Sequence, residues 1–345
     1  MNQVSRAPDI LDNISRLSSA TWAYAGLSAC FELGIVDELG TPVTAGELAE
    51  RLDLERGLVE DLIGVLVALG AVSEEAGAFV ATPEFETFRS GSVARVTQAG
   101  IRSDHLQTAE ALRRARAGAL APGWDHLDPD VLVAQGETAG LFRLSAEHVL
   151  PSLDGLRDAL ERPGATFLDV GAGVGVISSE LCMVYPELAA DCLEPNPAAR
   201  RLGRERVRAA GLAERISFLP QTVEELDAVH GYDLAVVPQP FLSPDAFGAG
   251  IPRVRRSLRA GGWLLVLALD VPESDPVSAA SSRIRARLWG GGAVTARELL
   301  GQLSGCGFEE AHAHHPVGGY RMFAARAPAG VEAAPADRIR FTARA

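Results

Sequence analysis

Asp169, Gly171, Gly173, Gly175 and Glu194 are the residues of this chain whose types and spacing could do chemistry together. Glycines at alternate positions let a chain turn sharply and let a ligand lie against bare backbone, because no Cβ stands in the way. Phe167-Leu168-Asp169-Val170 precedes them, a short apolar run of the kind a buried parallel strand requires. Val176-Ile177-Ser178-Ser179-Glu180-Leu181 follows and opens a helical pattern. Further on, Asp191-Cys192-Leu193-Glu194 reads as a second strand ending in a carboxylate. An acid at that place takes both hydroxyls of a ribose at the crevice of an open α/β sheet, so the constellation points to nucleoside binding.

The spacing bears on which nucleoside. A dinucleotide fingerprint wants its third glycine three residues after the second, and that position is Val176. The observed Asp-x-Gly-x-Gly-x-Gly resembles motif I of the class I S-adenosylmethionine-dependent methyltransferases. NAD is the alternative ligand, and an ordinary tight turn between strand and helix is the plain structural one.

Those residues need elements to hold them, and composition bounds what the elements can be. At 345 residues the chain can form two domains with a sizeable core. No apolar run approaches the roughly 20 residues that cross a bilayer, and Met1-Asn2-Gln3-Val4-Ser5-Arg6 lacks the layout of a secretion signal. Cys30, Cys182, Cys192 and Cys306 are scattered, with neither metal spacing nor a disulfide framework, which suits a reducing cytoplasm. A net charge of −13 argues against nucleic acid as a partner. The expectation is a cytoplasmic protein with no membrane or nucleic-acid partner.

In chain order, residues 9–39 carry apolar positions at helical spacing (Leu11, Ile14, Leu17, Trp22, Leu27, Phe31, Ile35, Val36). Such a face needs cover, from a second subunit or from its own domain. Thr44-Ala45-Gly46-Glu47 is a capping box opening the helix Glu47 to Leu52, and a longer helix spans Gly57 to Leu69. Ala71-Val72 and Ala78-Phe79-Val80-Ala81 read as a hairpin, completing a winged-helix pattern. A DNA reader places Arg and Lys on the second helix. Here Glu55, Arg56, Glu60 and Asp61 stand there, and residues 1–90 hold five arginines, no lysine and fifteen acids, a net charge of −10. The module therefore reads as architectural, with a regulator as the minor alternative. Residues 92–160 are mostly helical, with a break at Ala121-Pro122-Gly123-Trp124, and stand as the natural roof of a substrate pocket. From Ala165 strands alternate with helices, the signature of a doubly wound sheet. The remaining strands are expected at 216–219, 233–237, 263–268, 308–314 and 321–325, the last two flanking a turn at Gly318-Gly319. A capping box at Thr295-Ala296-Arg297-Glu298 opens one more helix.

That order of elements resembles the small-molecule O-methyltransferases of the hydroxyindole and caffeate types and their actinobacterial natural-product relatives, over roughly residues 10–327. The resemblance implies a Rossmann-like seven-stranded doubly wound sheet with an N-terminal winged-helix-like dimerisation domain. It divides the chain into a dimerisation domain at 1–95, a helical bridge at 96–158, a cofactor-binding catalytic domain at 159–327 and a peripheral tail at 328–345. It implies a homodimer, S-adenosylmethionine as cofactor and a small-molecule acceptor. Asp169, Gly171, Gly173, Gly175 and Glu194 match its cofactor motifs. Gln221-Thr222 stand where the family has the Gly-Asp that reaches adenine, and Pro238 completes the expected cofactor site.

The catalytic positions depart from the family. Its general-base His falls at or beside Pro240, within Pro238-Gln239-Pro240-Phe241; the acid that orients it falls at Ala268, and the other acid near Ala293. Where a base is needed, Asp270, His105 and His148 are the candidates; without one, a site suits an acceptor that is already nucleophilic. Gln239, Phe241, Arg143 and Trp289 are the residues expected to shape the acceptor pocket. A SAM-binding fold that performs another reaction is the alternative. His312 and His314 share one face of a strand as metal ligands could, but the edge position makes a solvated surface the better reading, and no metal is expected.

Overall fold

The central strands are buried on both faces, which explains why they read as continuous apolar runs. The structure is a computed structural model describing residues 7–271, 275–315 and 319–329. Gly318 and the tail beyond residue 329 lie outside the described residues. Two compact units divide between Glu110 and Ala111.

The first unit opens with α1 (Ala7–Glu32) and α2 (Ile35–Glu38). Gly34, at φ 77°, breaks the pattern that the sequence extends from 9 to 39, because only a left-handed residue closes one helix and starts the next there. Helices α3 (Ala45–Leu52) and α4 (Arg56–Ala68) and the hairpin β1 (Val72–Glu75)–β2 (Ala78–Ala81) follow. Thr44 accepts from Glu47 N–H at 3.2 Å while Glu47 accepts from Thr44 N–H at 2.8 Å, so α3 starts at Ala45 and not at Glu47. The acid at the head of α4 also caps: Glu55 accepts from Gly57 and Leu58 N–H. Cys30, Ile35, Leu39, Leu48, Ile63 and Leu66 form one core beneath these elements. Each such Leu or Ile contributes about 1.5–3 kcal/mol by leaving water. On α1, by contrast, Ile10, Leu11, Ile14 and Leu17 are exposed and Trp22 is 76% exposed. Helices α5 (Pro83–Arg89) and α6 (Gly91–Arg116) end the unit, α6 running on past its boundary.

In the second unit, α7 (Pro129–Glu137), α8 (Phe142–His148) and α9 (Leu156–Glu161) precede the sheet. Then come β3 (Thr166–Val170), α10 (Val176–Val184), β4 (Ala189–Leu193), α11 (Pro197–Ala209), β5 (Ile216–Leu219) and β6 (Tyr232–Pro238). The chain continues through α12 (Pro244–Ser257), β7 (Leu258–Leu269), α13 (Pro276–Trp289), α14 (Ala296–Gly305), β8 (Glu309–Ala313) and β9 (Tyr320–Arg326). Seven strands form one sheet in the order β5-β4-β3-β6-β7-β9-β8. All pairs are parallel except those of β9, which is antiparallel to β7 and β8.

Successive residues feed opposite faces. Phe167, Leu234, Val236, Trp263 and Leu265 enter one core, and Leu168, Val170, Ala235, Val237, Leu264 and Val266 the other. From β3 the chain steps outward to β4 and β5, then returns to β6 on the other side of β3. Ligands of open α/β sheets bind at such a reversal, outside the carboxyl ends of the strands. The opposite end is closed by Asp233, which accepts from Arg162 at 2.5 Å, from Thr166 N–H at 2.9 Å and from Arg259.

Among the described residues no helix is long and apolar enough to cross a membrane, and no group of three or more His, Cys, Asp or Glu side chains is placed to hold a metal ion. The four cysteines are free thiols. Burial pushes the Cys30 thiol up to about 12 and the Cys182 thiol to about 11, which makes both inert packing residues.

Candidate active site

Each glycine of the loop between β3 and α10 has its own duty. Gly171, Gly173 and Gly175 take φ of 60°, 56° and 73°, left-handed values that L side chains rarely adopt. A Cβ on Gly175 would meet the Phe218 ring at 2.7 Å, and one on Gly203 of α11 would meet the same ring at 2.4 Å. That glycine therefore serves packing between loop, helix and β5. Nothing lies within 4 Å of a Cβ built on Gly173, so its bare face borders open space where a ligand can approach the backbone. Helix α7 packs closely on the loop too: a Cβ on Gly136 would strike Val174 at 2.3 Å.

The two acids complete the cradle. Glu194, just past the end of β4, accepts from Gly173 N–H at 2.7 Å through Oε2 and from Asn196 N–H at 2.8 Å through Oε1. Both oxygens keep lone pairs for further donors such as ribose hydroxyls. Asp169 is only 1% exposed and accepts from the Ser178 hydroxyl at 2.6 Å; Ser178 in turn lies 3.1 Å from the Cys192 sulfur. Burial pushes the Asp169 carboxyl up to about 7, and the Glu194 charge adds to the rise. Burial raises Glu194 as well, against the Asn196 and Gly173 amides that stabilise its charge. Two carboxyls whose charge burial disfavours, beside a bare stretch of backbone, fit a nucleoside whose positive charge would stabilise their ionised forms, as S-adenosylmethionine carries at its sulfonium and ammonium groups.

Beyond the cradle, the remaining sequence-selected residues divide. Thr222 caps the short turn at Val223–Glu225 in a capping box with Glu225, and Gln221 precedes it on the loop after β5. Pro238, at the end of β6, lies 3.6 Å from the position of a Cβ on Gly171, which joins the acceptor side of the crevice to the loop. Gln239 is buried; its amide donates to the Gly291 carbonyl at 3.0 Å, and Gly291 N–H donates to the Pro240 carbonyl at 2.9 Å. The side chain thus zips the loop after β6 to the glycines after α13. Gly291 is required there, since a Cβ would lie 2.3 Å from the Gln239 carbonyl oxygen.

Phe241 and Trp289 are stacked at 4.6 Å, and Trp124 packs edge-on at 4.9 Å from Phe241 and 6.1 Å from Trp289. With Leu269 and Tyr320 they form an aromatic wall at the carboxyl ends of β6 and β7. Pro240 and Ala268, where the resemblance would place the family's base and its orienting acid, are buried and apolar. Asp270, one residue past β7, accepts through Oδ1 from both Nε and Nη2 of Arg321, at 3.0 and 2.7 Å. Arg143 and His148 are exposed on α8, Arg143 paired with Glu147 at 3.1 Å. His105 belongs to the first unit, its ring 4.8 Å from that of Tyr24. The rings of His312, on edge strand β8, and His314, just past its end, lie 4.9 Å apart.

Two contributors escaped sequence reasoning. Ser178 buttresses Asp169, and only its place one turn into α10 signals it. Asn196 carries a visible signal, Asn-Pro at a helix start, because its side chain caps α11 through Ala198 and Ala199 N–H.

Comparison with known proteins agrees with this geometry. A family profile described as a methyltransferase domain matches residues 167–262. The chain is 24% identical over 340 residues to the N,N-dimethyltransferase OxyT of Streptomyces rimosus, covering 90% of each protein. It is 26% identical over 306 residues to 3-hydroxy-5-methyl-1-naphthoate 3-O-methyltransferase of Streptomyces sahachiroi, covering 80% of this chain and 84% of that one. The solved structure of human N-acetylserotonin methyltransferase in complex with SAM shares the fold, with a TM-score of 0.64 at 16% identity over 95% of this chain and 100% of that one. Residues 167–262 are a methyltransferase domain, the chain shares the fold of the O-methyltransferases of known structure, and it is an S-adenosylmethionine-dependent methyltransferase.

Proposed function

We propose that the enzyme methylates a small secondary metabolite whose accepting atom is already nucleophilic: an acidic phenolate, an unprotonated amine or an activated carbon. The observation that carries this reading is the apolar character of the family's polar positions, Pro240 and Ala268, together with the Arg321 clamp on Asp270. S-adenosylmethionine, when bound, supplies an electrophilic methyl group. Asp169, Gly171, Gly173, Gly175 and Glu194 hold it, with Gln221, Thr222 and Pro238 bordering the adenosine. Phe241, Trp289 and Trp124 present the acceptor and exclude water. Alignment of two reactants in a dry site lowers a barrier by on the order of 7–11 kcal/mol without any base. The acceptor's proton, where it has one, leaves before the methyl arrives, so the rate follows the acceptor's own ionisation.

Both curated relatives come from Streptomyces; one is an N-methyltransferase and the other an O-methyltransferase of an aromatic acid, which supports a natural-product acceptor and leaves its atom open. Incubation with methyl-labelled cofactor and panels of phenols, amines and carbon acids tests the reading. Label in a small-molecule product is expected. Tight binding of the cofactor with no label in any class would favour the alternative, a cofactor-binding fold that performs another reaction.

The same reading treats residues 1–95 as a winged-helix-like dimerisation module and 96–158 as a bridge roofing the pocket, ahead of a catalytic domain at 159–327. The exposed α1 face of Ile10, Leu11, Ile14, Leu17 and Trp22 supports a homodimer, since such a face needs a partner. Its acidity supports an architectural task and not DNA binding. Free cysteines support a cytoplasmic setting. A sedimentation measurement giving a monomer at micromolar concentration would remove the dimer.

A further inference from the structure

The stretch between α6 and α7 crosses the crevice and is fastened on both sides of it. On the acceptor side, Gly123 N–H donates to the Leu288 carbonyl at 3.0 Å, and Gly290 approaches so closely that its Cβ would lie 3.3 Å from Gly123 Cα. On the cofactor side, the His126 carbonyl accepts from the Asn196 amide Nδ2 at 2.7 Å. Between these anchors Trp124 lies edge-on against Phe241 and Trp289. Asp125 accepts from Arg114 at 2.6 Å, and the rest of the stretch is solvent-facing: Leu120 is 46% exposed and Leu127 65%. A segment with few buried groups opens at small free energy, so one lost anchor changes its population measurably.

Asn196 is where the two sites meet. Its backbone N–H donates to Glu194 Oε1, its Oδ1 caps α11, and its Nδ2 holds the stretch that carries Trp124. Resting on the cofactor site proposed above, we infer that Asn196 is a positioning residue that couples the two halves of the crevice. A nucleoside engaging Glu194 fixes Asn196, which fixes His126 and seats Trp124 against the aromatic wall. The acceptor pocket is therefore complete only after the cofactor has bound, and binding is ordered, cofactor first. Linkage makes the effect reciprocal: seating the strap tightens the cofactor by the same factor.

Backbone hydrogen exchange on the whole chain, with and without S-adenosylhomocysteine, tests this without knowledge of the acceptor. Wild type should show slowed exchange both in the glycine loop, residues 169–178, and in the strap, residues 119–128. Asn196→Ser keeps a capping hydroxyl but cannot reach His126. Asn196→Asp keeps the cap and cannot donate, and serves should the serine variant fold poorly. In either variant the loop should still slow while the strap no longer responds, and affinity for S-adenosylhomocysteine should fall about fivefold, the usual scale of such coupling. A strap that slows as much in the variants as in wild type overturns the inference. So does a wild-type strap that ignores the ligand while the loop responds. A loop that does not respond in wild type overturns the cofactor site itself, and this inference with it.

Discussion

The two halves of the crevice are built on different materials. On the side proposed for the cofactor, from β3 to β5, the groups on offer are backbone amides and two acids, set by three glycines at positive φ. On the side proposed for the acceptor, at the ends of β6 and β7, the groups on offer are rings and a buried amide, held by contacts between segments far apart in sequence. A ligand shared by a whole family can be read by invariant backbone geometry. An acceptor that differs from enzyme to enzyme is read by side chains, which substitute without disturbing the sheet. The two sides should therefore respond differently to substitution, and the sharpest contrast lies at the loop.

Gly173→Asp should lose cofactor binding by about a hundredfold or more, equivalent to roughly 2.8 kcal/mol. Its φ of 56° is one that Asp tolerates better than most residues, and a Cβ there meets nothing within 4 Å, so the variant should fold. Titration calorimetry with S-adenosylhomocysteine beside a thermal melt checks both halves of that statement; unchanged affinity would sink the cofactor site. Next in size, Glu194→Gln should weaken the cofactor tenfold to a hundredfold, since hydrogen bonds to a charged group contribute about 1.5–3 kcal/mol. Acceptor KM should move far less than cofactor affinity in both variants, by the contrast drawn above.

How far each half was legible follows from the same difference. Left-handed glycines, a buried strand of Phe167, Leu168 and Val170 around one acid, and a second acid after the next strand are local features, so Asp169, Gly173 and Glu194 could be chosen. Gly173 donates to Glu194, while Asp169 accepts from Ser178. The seven strands were legible because alternate residues feed two cores. Strand β7 begins at Leu258, earlier than its apolar run, because Leu258 pairs with Tyr232 and only then does the register shift. Gln239 could be chosen as a pocket residue but not its partner: Gly291 lies 52 residues away, and nothing local says that the amide turns toward a loop. The strap and Asn196 stayed hidden for the same reason, with His126 70 residues from its donor.

pH sharpens the comparison from the cofactor side. Asp169 rises to about 7 by burial, so between the ordinary carboxylate range near 4 and about 7 the folded chain holds a proton that the unfolded chain has lost. Stability of the ligand-free enzyme is thus greatest below that window, falls as pH climbs through it and levels off above 7. A cationic ligand favours the ionised carboxyl, so cofactor affinity should instead rise with pH over the same range, with release of a proton on binding. Calorimetry in buffers of different ionisation enthalpy between pH 5.5 and 8 measures that proton. Asp169→Asn should abolish both trends, and a pH-independent affinity in wild type would remove Asp169 from the site.

On the acceptor side, Trp289→Leu should raise acceptor KM about tenfold while leaving cofactor affinity within a factor of two, because a stacked aromatic pair contributes about 0.5–1.5 kcal/mol beyond its area. The smallest effect belongs to Asp270. A general base contributes on the order of 10²–10⁴ in rate, and its removal reshapes the pH profile. An acid clamped by Arg321 in a partly exposed pair contributes about 0–1 kcal/mol to stability and nothing to proton transfer. Asp270→Asn should accordingly shift the melting temperature by no more than a few degrees and leave kcat within about threefold, with the pH profile set by the acceptor alone. If kcat instead fell a hundredfold with the acidic limb of the profile lost, Asp270 would be the missing base, the acceptor would need deprotonation, and the acceptor half would be catalytic machinery as well as a wall.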